Sequence, residues 1–487
     1  MIEKSTQLNA QAFIHIQRAK AEQWTTAVFG VGCIILCIAS WWLLFPGFAT
    51  HDLLVQLSEA RSGQYSDWHP PVMSWLWRQV ERVVPGTTGM LALQLAMLWS
   101  GIFLCAGALT KHLGVRFILA LALFLFPPVL GWAGSIGKDT WVLGAGLIGA
   151  GLVLRIGPER RFAQHALVWG SGTAFFVVCA VRHNGLFLVA GLALLAAVLL
   201  YPSRGVRSAV LTGLLLFLVP VAAAQLANKA LVDTQAYFLA GLMSFDVSGV
   251  AVRHDGDADF NARYQKPAAL AFLRPGHQLA ELRRWHLPQD WLYLTADMSR
   301  DIQGEPPVPM QWNASHMQAL KPLWKEIVST YPQDYLAHRF DVFLSLLAWG
   351  DRLVRDPACW VDRVIVPGVP VTERTTAQKV LGWRLDWVVK TNVLLKPWPY
   401  FLAAWVLLAV ALLLRPCNWR LAAGLLVSGL LHEFALFFLA PASEYRYSAW
   451  MMVMVILAAF ILCDALMAAA FQRKRIRLLS ASLPAQA

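Results

Sequence analysis

Ten apolar runs, each of membrane-crossing length or close to it, constrain this chain more than any other feature. A helix needs about 20 predominantly apolar residues to cross a bilayer. The runs are Thr25–Phe45, Thr87–Thr110, Phe117–Ala133, Thr140–Leu154, Ala166–Val181, Gly185–Tyr201, Ser208–Leu226, Trp398–Leu414, Leu421–Ala440 and Tyr447–Phe471. The fourth and fifth are the shortest. Of the 487 residues, 57% are hydrophobic and only 14% charged, against roughly 25% charged in a soluble domain. The fold class expected is an all-α polytopic membrane protein with about ten spans.

One polar stretch, Ala227 to Pro397, interrupts the pattern and is too long for a loop. It reads as a mainly helical domain. "MQALKPLWKEIVSTYPQDYLAHRFDVFLSLLAWG" gives two amphipathic helices broken at Tyr331-Pro332, whereas "VSGVAVRHDGDADF" and "WVDRVIVPGVPV" look irregular or strand-like. The expected organisation is a cytoplasmic segment (1–24), a seven-helix module (25–226) with its first loop at 46–86, the domain (227–397), three final helices (398–471) and a basic tail (472–487). No cleaved leader is expected, because residues 1–23 are polar and the following run is long enough to stay in the bilayer. The seven cysteines show no metal-like spacing and most lie within apolar runs, so no disulfide framework is expected.

Lys and Arg collect on cytoplasmic loops. With the N-terminus inside, the inner segments hold about 16 of them, against Arg61, Arg78, Arg82, Lys138, Arg182 and Arg446 in the short outer loops. Both termini are therefore expected in the cytoplasm, with the domain outside the inner membrane (periplasmic in a Gram-negative cell). Topology also accounts for the net charge of +12, and no nucleic-acid partner is expected. The tail "FQRKRIR" reads as a stop-transfer and anionic-lipid anchor.

This orientation gathers the unusual polar residues on one side. The first loop holds Asp52, Asp67 and His69; "GSIGKDT" holds Lys138 and Asp139; "VRHNG" holds Arg182, His183 and Asn184; "SEYRYS" holds Glu444 and Arg446. Charges at the bilayer edge are costly unless paired or lining a wet cavity. One outward-opening polar site is the expectation. Each residue also has a plainer role open to it. Asp52 or Thr50 could cap the amphipathic segment "DLLVQLSEA", which reads as lying on the membrane surface. Lys138 could pair with Asp139, and Arg182 with a loop carboxylate. Pro70-Pro71 should start a second surface helix, with Trp68, Trp75 and Trp77 in an interfacial belt.

Arg and Lys at helix ends suit phosphate oxygens. No cofactor is expected, although Asp52, Asp67 and His69 leave a divalent cation open. Asp255, Asp257 and Asp259 lack the full calcium-loop spacing and read as solvated loop. Asn313-Ala-Ser315 is a chance sequon. His432 and Glu433, roughly 12 Å inside the ninth run, are either functional or structural partners, for Arg446 among others.

An acidic residue just past the first helix, in a loop with two surface-lying helices, resembles the GT-C membrane glycosyltransferases, which use polyprenyl-phosphate sugars outside the cytoplasmic membrane. The wording "FPGFATHD…Q…YSDWHPP" is also similar to a group of bacterial membrane proteins related to the dolichyl-phosphate-mannose protein mannosyltransferase-like family. "KD", "RHNG" and "YRYSAW" are similar to that group's other loop motifs. The resemblance covers the first seven helices and the last two. That family often pairs two acidic residues in the first loop; here His51 neighbours Asp52, leaving Asp67 as candidate for the second role.

The resemblance implies transfer of a sugar from a polyprenyl phosphate to an external glycan, lipid or protein, with inversion. Asp52, seconded by Asp67, would serve the acceptor hydroxyl. Lys138, Arg182 and Arg446 would hold the phosphate, with His69, Asp139, His183, Asn184 and Glu444 completing the substrate site. A surface-polysaccharide ligase or polymerase would suit the same loops. A lipid-linked solute transporter or flippase would need midplane polar groups and repeat symmetry, and a scaffold would leave the loop charges without a role.

Overall fold

The computed structural model describes residues 2–47, 51–157, 161–201, 206–295, 304–350, 352, 375–391 and 393–481. Among them there is no strand. The helices are α1 Ile2–Leu44, α2 His51–Ser62, α3 Pro71–Glu81, α4 Thr88–Leu109, α5 Leu113–Leu125, α6 Pro127–Ala133, α7 Lys138–Val153, α8 Arg161–Val181, α9 Gly185–Leu200 and α10 Val206–Leu231. The polar region continues with α11 Leu239–Arg253, α12 Ala258–Tyr264, α13 Pro267–Leu270, α14 Leu279–Trp285, α15 Ala314–Thr330, α16 Pro332–Leu346 and α17 Thr376–Thr391. Three long helices end the chain: α18 Pro397–Leu414, α19 Trp419–Leu439 and α20 Tyr445–Ala481.

Seven described helices are long and apolar enough to cross a membrane, drawn from α1, α4, α8, α10, α18, α19 and α20. The third run is broken: α5 and α6 meet at 66° and make an eighth span if counted as one. The break falls at Phe126-Pro127, where proline removes a helical donor and starts α6 at its first position. The fifth run is not short, since α8 covers 21 residues. The fourth and sixth are, at 16 residues each, or roughly 24 Å of helix against a hydrocarbon core of about 30 Å.

The fourth run is short because α7 is an interior helix. It packs along α4, where a Cβ on Gly151 would strike Leu104 and one on Gly101 would strike Leu147. Only small residues permit so close an approach. Most of α7 is buried, whereas α1 and α10 leave Ile34, Trp42, Leu211 and Leu215 exposed, as lipid-facing helices do.

The region after α10 is helical, with its own buried centre of Phe245, Phe260, Leu282, Trp285 and Ile327. "VSGVAVRHDGDADF" is largely helical: it completes α11, turns at residues 254–257 and begins α12. Asp257 caps α12 by accepting the Phe260 N–H at 3.0 Å, and Asp255 pairs with Arg283. Asn313 caps α15 in the same way, accepting from His316. The α15–α16 break falls at Tyr331-Pro332. "WVDRVIVPGVPV", Cys359 and Phe48–Thr50 lie outside the described residues.

Two seams fasten this region to the helical bundle. On one, Asp233 and Thr234 N–H groups donate to the Tyr65 carbonyl, and Trp68 packs 5.8 Å from Trp291. On the other, Asp290 bridges Ala442, and the Arg339 guanidinium, wholly buried, donates to the Ala440 carbonyl at 3.1 Å. The first loop and the α19–α20 turn are thus both held by the 227–397 region.

Candidate functional site

The ends of α1 and α8 meet the starts of α7 and α20 at one end of the bundle, and the polar loops meet there with them. Asp52 lies in the first turn of α2. Lys138 Nζ stands 3.1 Å from its Oδ2. Lys138 also donates to His69 Nδ1 at 2.8 Å. An ammonium can only donate, so Nδ1 accepts and the proton of neutral His69 sits on Nε2. That nitrogen is 3.8 Å from Asp52 Oδ1.

Behind this trio stands a second charged layer. Asp139 pairs with Arg182 through Oδ1 and with Arg446 through Oδ2, the latter at 3.3 Å. Arg446 also pairs with Glu444. The Arg182 guanidinium lies 4.7 Å over the Tyr447 ring, and that of Arg446 lies 4.7 Å over Trp132 and 5.3 Å over Tyr447. Stacking and pairing together fix both forks. Lys138 pairs with Asp52, not with its neighbour Asp139.

Asp52, Trp132, Ser135, Gly137, Lys138, Asp139, Thr140 and Arg446 line a cleft of about 230 Å³, counting its open mouth. Most of that volume is mouth, and the enclosed part holds no more than a water-sized group. Its floor is the start of α7, whose N-cap Gly137 offers no side chain to the first-turn N–H groups. A helix start of this kind attracts anions. Trp132 Nε1 and Ser135 Oγ are buried and have no hydrogen-bond partner among the described residues. Two buried donors on the wall of a cleft are costly unless a water or a ligand meets them.

Buried Gln94 holds this floor in place. Its Nε2 donates to the carbonyls of Ala133 and Ser135 at 2.9 and 3.0 Å, and its Oε1 accepts the Gly137 N–H at 3.2 Å. Thr140 Oγ1 donates to the Trp132 carbonyl at 2.9 Å. Burial alone would raise the Asp52 carboxyl; nearby positive charge, Lys138 foremost, outweighs it and holds the carboxyl below the usual carboxylate range. Burial, then the Lys138 charge, pushes His69 down to about 3. Burial also lowers Lys138 against the pull of Asp52.

The remaining candidates are in other positions. Asp67 does not join Asp52: its Oδ1 accepts the backbone N–H groups of Ala236 and Tyr237, so it ties the first loop to the segment after α10. The second acidic role expected for it falls to no first-loop residue in the cleft. His183 stacks on Phe238, with ring centroids 4.1 Å apart, and burial lowers it to about 4. Asn184 precedes α9 without capping it. Asp52, Asp67 and His69 do not form a ligand set. Among the described residues no group of three or more His, Cys, Asp or Glu stands close enough for a metal ion, and Lys138 fills the place between Asp52 and His69.

Of the three tryptophans expected at the interface, Trp75 is exposed, but Trp77 is wholly buried and donates to the Gly86 carbonyl. The polar side of α2 also turns inward: Glu59 accepts from Ser66 and Ser74, and Gln56 is fully buried. His432 Nε2 hydrogen-bonds the Tyr447 carbonyl, and Glu433 accepts from Ser448 rather than pairing with Arg446. Sequence reasoning missed Gln94, Trp132, Ser135, Thr140 and Tyr447. A lone Gln in an apolar run was the one available signal. No family model, no curated protein and no solved structure matches the chain.

Proposed function

We propose that this protein is a membrane glycosyltransferase that moves a sugar from a polyprenyl-phosphate donor to an acceptor hydroxyl with inversion. One observation carries the reading: a carboxylate, Asp52, shares the wall of a small polar cleft with Lys138, Arg446, two buried donors and a helix start. Asp52 takes the proton of the acceptor hydroxyl as its oxygen bonds to the anomeric carbon. The bond from that carbon to the phosphate oxygen breaks, and its electron pair leaves with the phosphate, whose charge the donors of the cleft compensate. A phosphate so held needs no acid on its side, and a single displacement inverts the centre.

In this reading the chain is GT-C-like, with about ten spans, the short α7 and α9 counted among them. The cleft and the 227–397 region face outward, and both termini are cytoplasmic. Transport is the weaker reading, because His432 Nε2 and Glu433 Oε1, the polar groups deep in α19, are bonded to the start of α20.

The test is surface-glycan composition in a deletion strain complemented with Asp52→Asn at equal expression. The variant should fail to restore the glycan. Full restoration excludes Asp52 as the base.

A further inference from the structure

Among the described residues every Lys and Arg at the cleft already faces a carboxylate: Lys138 faces Asp52, Arg182 faces Asp139, and Arg446 faces Asp139 and Glu444. Three positive groups balance three negative ones, and His69 and His183 are neutral. An entering phosphate finds neutral donors at Trp132, Ser135 and the start of α7 but no spare charge. To gain a counter-charge it must draw one cation from its partner.

The candidates are unequal. Arg182 and Arg446 are forks held between Asp139 and aromatic faces, and the Asp139 side chain is only 7% exposed. Leaving that carboxylate unpaired would strand a buried charge. Lys138 is a single ammonium on a flexible stem, and its partner Asp52 is 32% exposed on the cleft wall. His69 Nδ1 can keep hold of the ammonium while it turns.

Resting on the glycosyltransferase reading above, we propose that the donor phosphate takes Lys138 from Asp52, so that donor binding itself converts Asp52 from a masked ion-pair partner into the base. At rest the carboxylate is a weak proton acceptor, because Lys138 stabilises its charged form and Arg446 adds to that. Once Lys138 turns to the phosphate, the carboxylate keeps the His69 Nε2–H and the weaker field of Arg446, and the anion beside it raises its proton affinity further. The handover also orders the reaction. Without donor, Asp52 stays paired and a bound hydroxyl, water included, meets no base.

The handover makes an unusual prediction for binding. Asp52 competes with the phosphate for Lys138, so removing the carboxylate charge should tighten phosphate binding while abolishing transfer. The experiment is calorimetric titration of farnesyl phosphate into the full chain in lipid nanodiscs. Asp52→Asn should bind about tenfold more tightly than wild type, and Lys138→Gln should bind more weakly. The gain from Asp52→Asn should vanish in the Lys138→Gln background, as a double-mutant cycle requires of two coupled groups. Lys138→Arg, which keeps the charge, guards against a folding defect and should still bind.

If wild type binds farnesyl phosphate but Asp52→Asn binds no better, the handover is wrong and the phosphate site stands. A gain from Asp52→Asn that survives in the Lys138→Gln background also overturns the handover. If no variant binds it, the lipid-phosphate reading falls and the handover with it.

Discussion

Gln94, buried in the second turn of apolar α4, accepts the Gly137 N–H at 3.2 Å and so sets where α7 begins. Its amide donates to two further backbone carbonyls of the same loop. Three backbone groups that carry the cleft floor therefore share one side chain. Gln94→Leu keeps the volume but takes that partner from the Ala133 carbonyl and the Gly137 N–H, at about 1–3 kcal/mol for each buried group, and leaves the Ser135 carbonyl only the 3.4 Å bond from Thr140 Oγ1. The variant should melt at a lower temperature in detergent and lose glycan output. Gln94→Glu, which keeps the acceptor for Gly137 but sets a buried carboxyl against two carbonyl oxygens, should lose at least as much. A wild-type melting curve for Gln94→Leu would show that the floor is held by packing alone.

Asp67 separates a strut from an acid. Its Oδ1 accepts two backbone N–H groups, from Ala236 and Tyr237, and an amide oxygen can accept both as well. Asp67→Asn should therefore keep near-wild-type activity in the complementation assay, while Asp67→Ala should lose most of it as the first loop comes away from residues 236–237. The outcome that sinks this role is an inactive Asp67→Asn at normal expression, since only the charge would then be missing.

The charged residues of the cleft were legible as candidates because few charges end an apolar run without a reason. Asp52, Lys138, Arg182 and Arg446 each stood at such an end, and their loops do converge. Which partner each takes was not legible. Lys138 has Asp139 beside it in sequence, but consecutive residues on a helix point in different directions, and the ammonium reaches Asp52 instead. Trp132 and Ser135 carried no signal, because a tryptophan near a run's end reads as belt and a serine as filler. Their importance lies in hydrogen bonds left unmade, a property of the packed state.

Apolar composition cannot separate a helix facing lipid from one buried in protein, which is why the apolar runs overstate the long spans. The fourth run was as apolar as a crossing helix, yet α7 spends that surface on α4. Trp77 was misplaced for a related reason: it was read as part of an interfacial belt, and the structure buries it.

The buried trio also sets a pH dependence. His69, 4% exposed at its side chain, is pushed from 6.5 down to about 3, chiefly by burial. In the unfolded chain it takes a proton as pH falls through 6.5, whereas in the fold it resists until about pH 3. The unfolded state thus binds more protons at this site across that window, so the His69 contribution to stability rises with pH from about 3 to 6.5 and is flat above it. Within the window His69 alone contributes a slope of about 1.4 kcal/mol per pH unit. The depressed Asp52 acts in the same direction, losing its stabilising charge only at the acid end. His69→Gln keeps an acceptor for Lys138 and cannot titrate. Its melting temperature, followed from pH 7.5 to 4.5 in detergent, should fall less steeply than that of wild type, and the two curves should run parallel above pH 7. Equal slopes below pH 6 would mean that His69 is protonated in the fold, which would return its Nδ1 to a donor and break the bond from Lys138.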